Sequence, residues 1–247
     1  MVRLIPMIIV KDRRLVKGIS FKDHKYFGCP LNIVKIFNEK EVDELIILDI
    51  SEKKIDFNYL KDVVSESFIP VTYGGSIKNM DEVSELFKIG IEKLSFSNCF
   101  FNNLDLIRAV SAKYGAQSIV VTLDFKKTLF GGYKLYDFRK KASHNMKIKD
   151  AFAILNSLDI CELLVQSVSN ESKFCGVDVD LINLIKHFYN RRFLYTGGVS
   201  SLDDIKQYFL HYGNSLAVGS FFMMKEVHRA AMISYPGYEL IQNFENN

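Results

Sequence analysis

Apolar runs of strand length alternate along the chain with segments whose apolar residues recur every three or four positions. The strand-like runs are Leu4–Val10, Leu45–Ile50, Pro70–Tyr73, Leu94–Phe96, Ile119–Phe125, Leu163–Val168, Phe193–Thr196 and Leu216–Val218. Helical patterns lie between them at Asn32–Glu41, Asn58–Ser67, Asp81–Ile89, Leu104–Tyr114, Ile148–Ser157, Asp180–Tyr189 and Leu202–His211. Ile33, Ile36 and Phe37 are spaced to share a helix face, as are Val83, Leu86 and Phe87. Continuous apolar strands separated by helices predict a parallel sheet covered on both faces. Eight such units within 247 residues favour a single closed (β/α)8 TIM barrel, spanning residues 1–247, over an open doubly wound sheet.

The strands repeat. Asp43–Ser51 resembles Cys161–Ser169, Thr72-Tyr73-Gly74-Gly75 resembles Tyr195-Thr196-Gly197-Gly198, and Ile8–Lys11 resembles Leu123–Lys126. The pairs stand about half a chain apart, the separation that duplicated half-barrels require.

Composition adds limits. The chain is 48% hydrophobic and 25% charged, which suits a packed domain and excludes a largely disordered one. Its 32 basic and 29 acidic residues nearly cancel, so charge alone predicts no nucleic-acid partner. No apolar run reaches the roughly 20 residues of a membrane span, and Met1–Pro6 does not read as a signal peptide. Cys29, Cys99, Cys161 and Cys175 are far apart in the sequence, without a CxxC pair. A reduced, cytoplasmic protein is expected.

Barrel active sites form where strands end at the C-terminal face. Gly74-Gly75 and Gly197-Gly198 end strands there, each shortly before a helix, with Asp81 and Ser201 near the helix starts. Ser97-Asn98 and Gly219-Ser220 occupy the neighbouring strand ends. Glycine backbone and helix N-termini present amides to an anion, so two symmetry-related phosphate cups are predicted, involving Gly75, Ser76, Ser97, Asn98, Gly198, Gly219 and Ser220. The plainer alternative is a pair of tight turns. Asp124 ends the fifth strand and is the candidate acid or base, with a helix cap or an ion pair to Lys126 as its alternative. Asp49 ends the second strand and is placed to orient Lys17 or a substrate. Lys17 lies in Val16–Pro30, read as a long loop of lid length. No P-loop, GxGxxG or HExxH is present, and the histidines lack metal-ligand spacing, so neither a cofactor nor a metal is expected. Lys140-Lys141 reads as a solvated face.

Charges also precede strand cores: Arg3, Glu44, Lys93 and Glu162. Pointing inward, they would pair across the barrel floor; pointing outward, they are ordinary surface residues.

Val10–Gly18, Asp43–Ile50, Val120–Asp124 and Leu216–Ser220 resemble HisF, the cyclase subunit of imidazole glycerol phosphate synthase, over nearly the whole chain. The resemblance implies a (β/α)8 barrel that receives ammonia from a HisH-like glutaminase and binds a substrate with two phosphates. It implies that Arg3, Glu44, Lys93 and Glu162 form the ammonia gate, that Lys17, Asp49 and Asp124 serve catalysis, and that Gly198 and Ser220 hold the second phosphate. The sequence departs from the family where its other catalytic aspartate becomes Ile9. Ser76 replaces a third glycine, Ser97-Asn98 replaces Asn-Thr, and Ser169–Lys173 replaces an Asp-Arg-Asp-Gly-Thr loop. These changes count against the ordinary cyclase substrate, while the cup backbone is expected to survive.

Tyr26–Pro30, Val34–Leu45 and His228–Pro236 look like the HisF-like branch associated with acetamidino modification of surface-polysaccharide sugars. There the first aspartate is likewise apolar. This likeness implies an ATP-dependent sugar amidotransferase as a further partner and a phosphorylated or nucleotide-linked ligand. The resulting expectation is a subunit that channels ammonia for conversion of an N-acetyl group to an acetamidino group. A working histidine-pathway cyclase and a non-catalytic scaffold that activates a glutaminase are the alternatives.

Overall fold

A computed structural model describes residues 2–19, 22–225, 230–237, 240–241 and 244. The motif residues His228 and Arg229 lie outside the described residues.

The barrel strands are β1 (Arg3–Lys11), β2 (Leu45–Asp49), β3 (Val71–Gly74), β4 (Lys93–Phe96), β5 (Ile119–Lys127), β6 (Glu162–Ser167), β7 (Phe193–Thr196) and β8 (Ser215–Val218). Each pairs in parallel with the next, β5 joins β6, and β8 returns to β1, closing the barrel. The longer helices are α1 (Pro30–Glu39), α2 (Phe57–Ser65), α3 (Met80–Lys88), α4 (Leu104–Tyr114), α5 (Ile148–Asn156), α6 (Val179–Phe188) and α7 (Leu202–His211). Side-chain oxygens of Asp56, Asn79, Asn103, Asp178 and Ser201 accept backbone N–H groups at the starts of α2, α3, α4, α6 and α7. Such a cap typically contributes about 1 kcal/mol.

Alternation along each strand sorts the apolar side chains into two layers. Ile5, Met7, Ile46, Val120, Leu164, Leu194 and Ala217 fill the barrel axis. Leu4, Ile8, Leu45, Ile47, Val121, Leu163 and Val165 face outward and pack with apolar residues of the helices, such as Phe37, Leu86, Val110 and Ile185.

The stretch read as a loop at Val16–Pro30 is instead a hairpin. Strands Arg14–Ile19 and Lys22–Gly28 pair antiparallel, and the first continues from β1. Asp12 and Arg13 turn the chain with φ of 48° and 63°, the positive values that suit a two-residue hairpin turn. A second hairpin extends β5, where Tyr133–Asp137 pairs with Phe125–Lys127.

Candidate functional site

Four strand starts converge at the floor. Arg3 donates from Nη1 to Glu162 Oε1 at 2.8 Å and from Nη2 to Glu44 Oε2 at 2.7 Å. Lys93 Nζ donates to the same Glu44 oxygen at 2.9 Å, and Thr72 Oγ1 donates to Glu44 Oε1 at 2.9 Å. Burial opposes both charges, but pairing wins: Lys93 and Arg3 hold the Glu44 carboxyl below its usual range, and the two carboxylates raise Arg3. Glu162 Oε2 is buried without a hydrogen-bond partner. It is an acceptor aimed into the barrel end.

Above the floor the axis carries small polar groups among the apolar ones. Ser95 and Thr122 share a 2.6 Å hydrogen bond, Thr72 and Thr196 are buried, and Gln166 Nε2 is buried with no partner. Donors and acceptors therefore punctuate the route from floor to mouth.

At the mouth, Asp124 is 5% exposed and its Oδ2 accepts Ser97 Oγ at 3.3 Å. Burial pushes its carboxyl up to about 7; the Ser97 bond opposes this and Asp137 adds to it. Lys126, the alternative partner, instead lies over the Tyr136 ring at 4.8 Å. Ile9 is buried on the same inner alternation as Ile5 and Met7, so the strand equivalent to β5 brings no acid. Asp49 accepts Tyr73 Oη at 3.3 Å and the Ser51 N–H at 2.8 Å. It therefore braces the outer side of β2 and makes no bond to Lys17.

Lys17 sits on the first hairpin strand and folds back into the mouth. It is buried, and Nζ has no hydrogen-bond partner. An added Cβ at Gly219 would come within 2.6 Å of that nitrogen. Burial lowers the Lys17 pKa, with the field of Glu171 opposing.

The two predicted cups differ. At the first, Gly75, Ser76, Ser97 and Asn98 are partly exposed, and Arg139 Nη2 donates to Ser76 Oγ at 3.2 Å. Arg139 is a candidate anion ligand that sequence reading missed, because it lies in the basic stretch read as solvated. At the second, Gly197 and Gly198 have φ of 119° and 91°, and a Cβ at Gly198 would run into the Gly176 carbonyl oxygen. Only glycine fits there. This cup already contains Glu171 and Ser172, whose Oγ bonds Ser220 Oγ at 2.5 Å and Glu171 Oε1 at 2.7 Å. No group of three or more potential metal ligands occurs among the described residues, and none of their helices is long and apolar enough to cross a membrane.

A charged floor, a polar-punctuated axis and glycine-rich strand ends at the C-terminal face define a (β/α)8 barrel whose candidate site lies at its mouth. A family model described as "Histidine biosynthesis protein" matches residues 3–228. The chain belongs to this family, and within it to the HisF-like proteins. It is 34% identical over 241 residues to "Putative imidazole glycerol phosphate synthase subunit hisF2" of Pseudomonas aeruginosa, covering 95% of both chains. It is 34% identical over 242 residues to "Putative imidazole glycerol phosphate synthase subunit hisF3" of Vibrio vulnificus, covering 95% of this chain and 92% of that one. Against "Imidazole glycerol phosphate synthase subunit HisF" of Sulfolobus acidocaldarius, identity is 31% over 225 residues and 89% of each chain.

Proposed function

We propose that this chain is the ammonia-accepting subunit of a glutamine amidotransferase, working in the cytoplasm as a single-domain barrel with a HisH-like glutaminase on its floor. The observation that carries this reading is the paired set Arg3, Glu44, Lys93 and Glu162, closing an axis that holds unpartnered polar atoms. Ammonia needs donors and acceptors along its way, and Glu162 Oε2 and Gln166 supply them. An open groove of about 490 Å³, lined by Asn156, Lys186, His187, Tyr189 and Arg191, lies on the same face as the floor.

The relatives' names support a synthase of the imidazole glycerol phosphate type. In that reading ammonia reacts with a phosphorylated ligand at the mouth in a lyase-type ring closure, and Asp124 and Lys17 move the protons. A second reading is favoured by Ile9 and by the occupied second cup. In it, ammonia passes to an ATP-dependent sugar amidotransferase and displaces the activated oxygen of an N-acetyl group, giving an acetamidino sugar. A turnover assay of the purified chain with saturating ammonium and the two-phosphate histidine-pathway intermediate separates them. Imidazole glycerol phosphate at rates normal for such enzymes supports the first reading; a folded, inactive chain supports the second.

The gate has its own test. In Lys93→Ala, glutamine-driven product formation is expected to fall roughly tenfold relative to ammonium-driven formation, equivalent to about 1.4 kcal/mol. An unchanged ratio in the assembled complex removes Lys93 from the conduit.

A further inference from the structure

The second cup is occupied by the protein's own carboxylate. Glu171 and Ser172 are each 5% exposed, and they come from the loop that follows β6. That loop is fixed at several points. Ser169 Oγ accepts the Lys127 N–H at 2.9 Å, and Asn170 Nδ2 donates to the Gly176 carbonyl at 3.2 Å. The Gly176 N–H donates to the Gly198 carbonyl at 2.9 Å. Its far end is held by Asp178, which accepts Tyr133 Oη at 2.5 Å and Ser167 Oγ at 3.2 Å. Ser172 Oγ then ties the loop to Ser220, the hydroxyl on which an anion at this strand end would depend.

What remains of the cup is a cavity of about 20 Å³. A water needs about 10–15 Å³ of such space. With the loop placed as it is, the enclosed part of the cup holds about one water or hydroxyl group, less than a phosphate with its five heavy atoms needs. A phosphate forced in would also meet Glu171 as a like charge in a poorly solvated place. Lys17, the buried amine beside Gly219, already lies in the field of Glu171. At the first cup Asp124 bonds Ser97 at 3.3 Å, but its carboxyl is pushed up to about 7, and Arg139 brings a charge to Ser76.

We propose that Glu171 is a specificity-determining residue that makes the mouth a single-anion site. The ligand is held by one phosphate or equivalent anionic group at Ser76, Ser97 and Arg139, and it places nothing larger than an uncharged hydroxyl at Gly198 and Ser220. This assignment deepens the second reading above by naming the ligand class, since the first needs a ligand with two phosphates, and it rests on that reading only for placing the ligand at the mouth.

Titration of the full chain with inorganic phosphate, followed by phosphorus NMR and calorimetry, tests it. The wild type is expected to bind one phosphate per chain, and Arg139→Ala to lose it. Glu171→Gln keeps the side chain's size and removes its charge, while Glu171→Gly opens the space, so Glu171→Gly is expected to bind two. Hexane-1,6-diol bisphosphate is expected to bind the wild type no more tightly than the monophosphate, and Glu171→Gly roughly tenfold more tightly than wild type, a gain of about 1.4 kcal/mol. Thermal melts establish that each variant is folded. Two phosphates on the wild type, none, or a wild-type preference of tenfold or more for the bisphosphate overturns the proposal. A failed ammonia reading shows instead in the Lys93→Ala ratio, which does not depend on phosphate stoichiometry.

Discussion

Asp124→Asn is expected to lower ammonia-dependent turnover by about 10²–10⁴-fold, the usual cost of losing a positioned acid or base, and at the same time to stabilise the barrel above pH 7. Both effects have one cause. Asp124 is buried with a single long hydrogen bond from Ser97, and burial brings its carboxyl up to about 7. Near neutral pH it is therefore divided between the two protonation states and can both give and take a proton. Ile9 leaves no acid at the equivalent place on β1. The linkage sign follows from a raised carboxyl. The contribution of Asp124 to stability is fully present below the unfolded carboxyl range near pH 4 and is lost as pH rises through about 7. Asparagine carries no such penalty. Urea unfolding of the two proteins should thus diverge between pH 5 and 8, by an amount on the order of a few kcal/mol. The inflection near 7 in the turnover profile should vanish with the carboxyl. A complex of Asp124→Asn with full output points to the scaffold alternative. A stability difference that does not change with pH shows that Asp124 titrates as an ordinary surface acid.

The elements were legible because local signals agreed. Leu104–Tyr114 and Leu202–His211 are found at their expected bounds, each opened by a side-chain cap and each carrying a buried stripe. The turn that leads from β1 into this hairpin was hidden because it is Asp12-Arg13 rather than an Asn-Gly pair, and an arginine at positive φ sends no sequence signal. Residue parity would have directed Asp49 outward: Leu48 packs against the inner layer, so its neighbour must face the other way. The floor charges were a different problem. A charged residue before a strand looks the same whether it meets water or three other strands, and only barrel closure brings Arg3, Glu44, Lys93 and Glu162 together. Glu171 and Arg139 depend on how two loops fold across the mouth: Ser172 beside Glu171 meets Ser220 over 48 residues, and Arg139 meets Ser76 over 63. No spacing rule reaches that far; for this loop the one available sign was Ser172 in the place of a glycine.

Arg3→Ala is expected to be the most destabilising change at the floor, by about 2–3 kcal/mol near pH 7.5. Breaking a buried pair by removing one partner costs about 3–5 kcal/mol, and Arg3 is less than fully buried, its side chain being 32% exposed, so the lower end applies. The damage concentrates on Glu162. Its Oε2 already lacks a partner, and Arg3 is the one hydrogen-bond donor to Oε1 among the described residues. Without Arg3 the carboxylate has no hydrogen-bond partner among the described residues. Glu44 fares better, keeping Lys93 and Thr72. Lys93→Ala should accordingly cost less than Arg3→Ala, because Glu44 then keeps Arg3 and Thr72. The pH dependence discriminates further. The loss comes from carboxylate charge left without its cation, so it should shrink as acid removes that charge. In the wild type Glu44 is held low, so its contribution persists above the unfolded carboxyl range and is lost only as pH falls through the folded value. The two stability curves should therefore converge in acid and separate at neutral pH. Urea midpoints for wild type, Arg3→Ala and Lys93→Ala at pH 5 and 7.5 give the comparison. Equal losses for the two variants, or a gap that does not narrow at pH 5, would show that Glu162 draws its compensation from water at the barrel end rather than from Arg3. A gate built on that pair would then have no electrostatic basis.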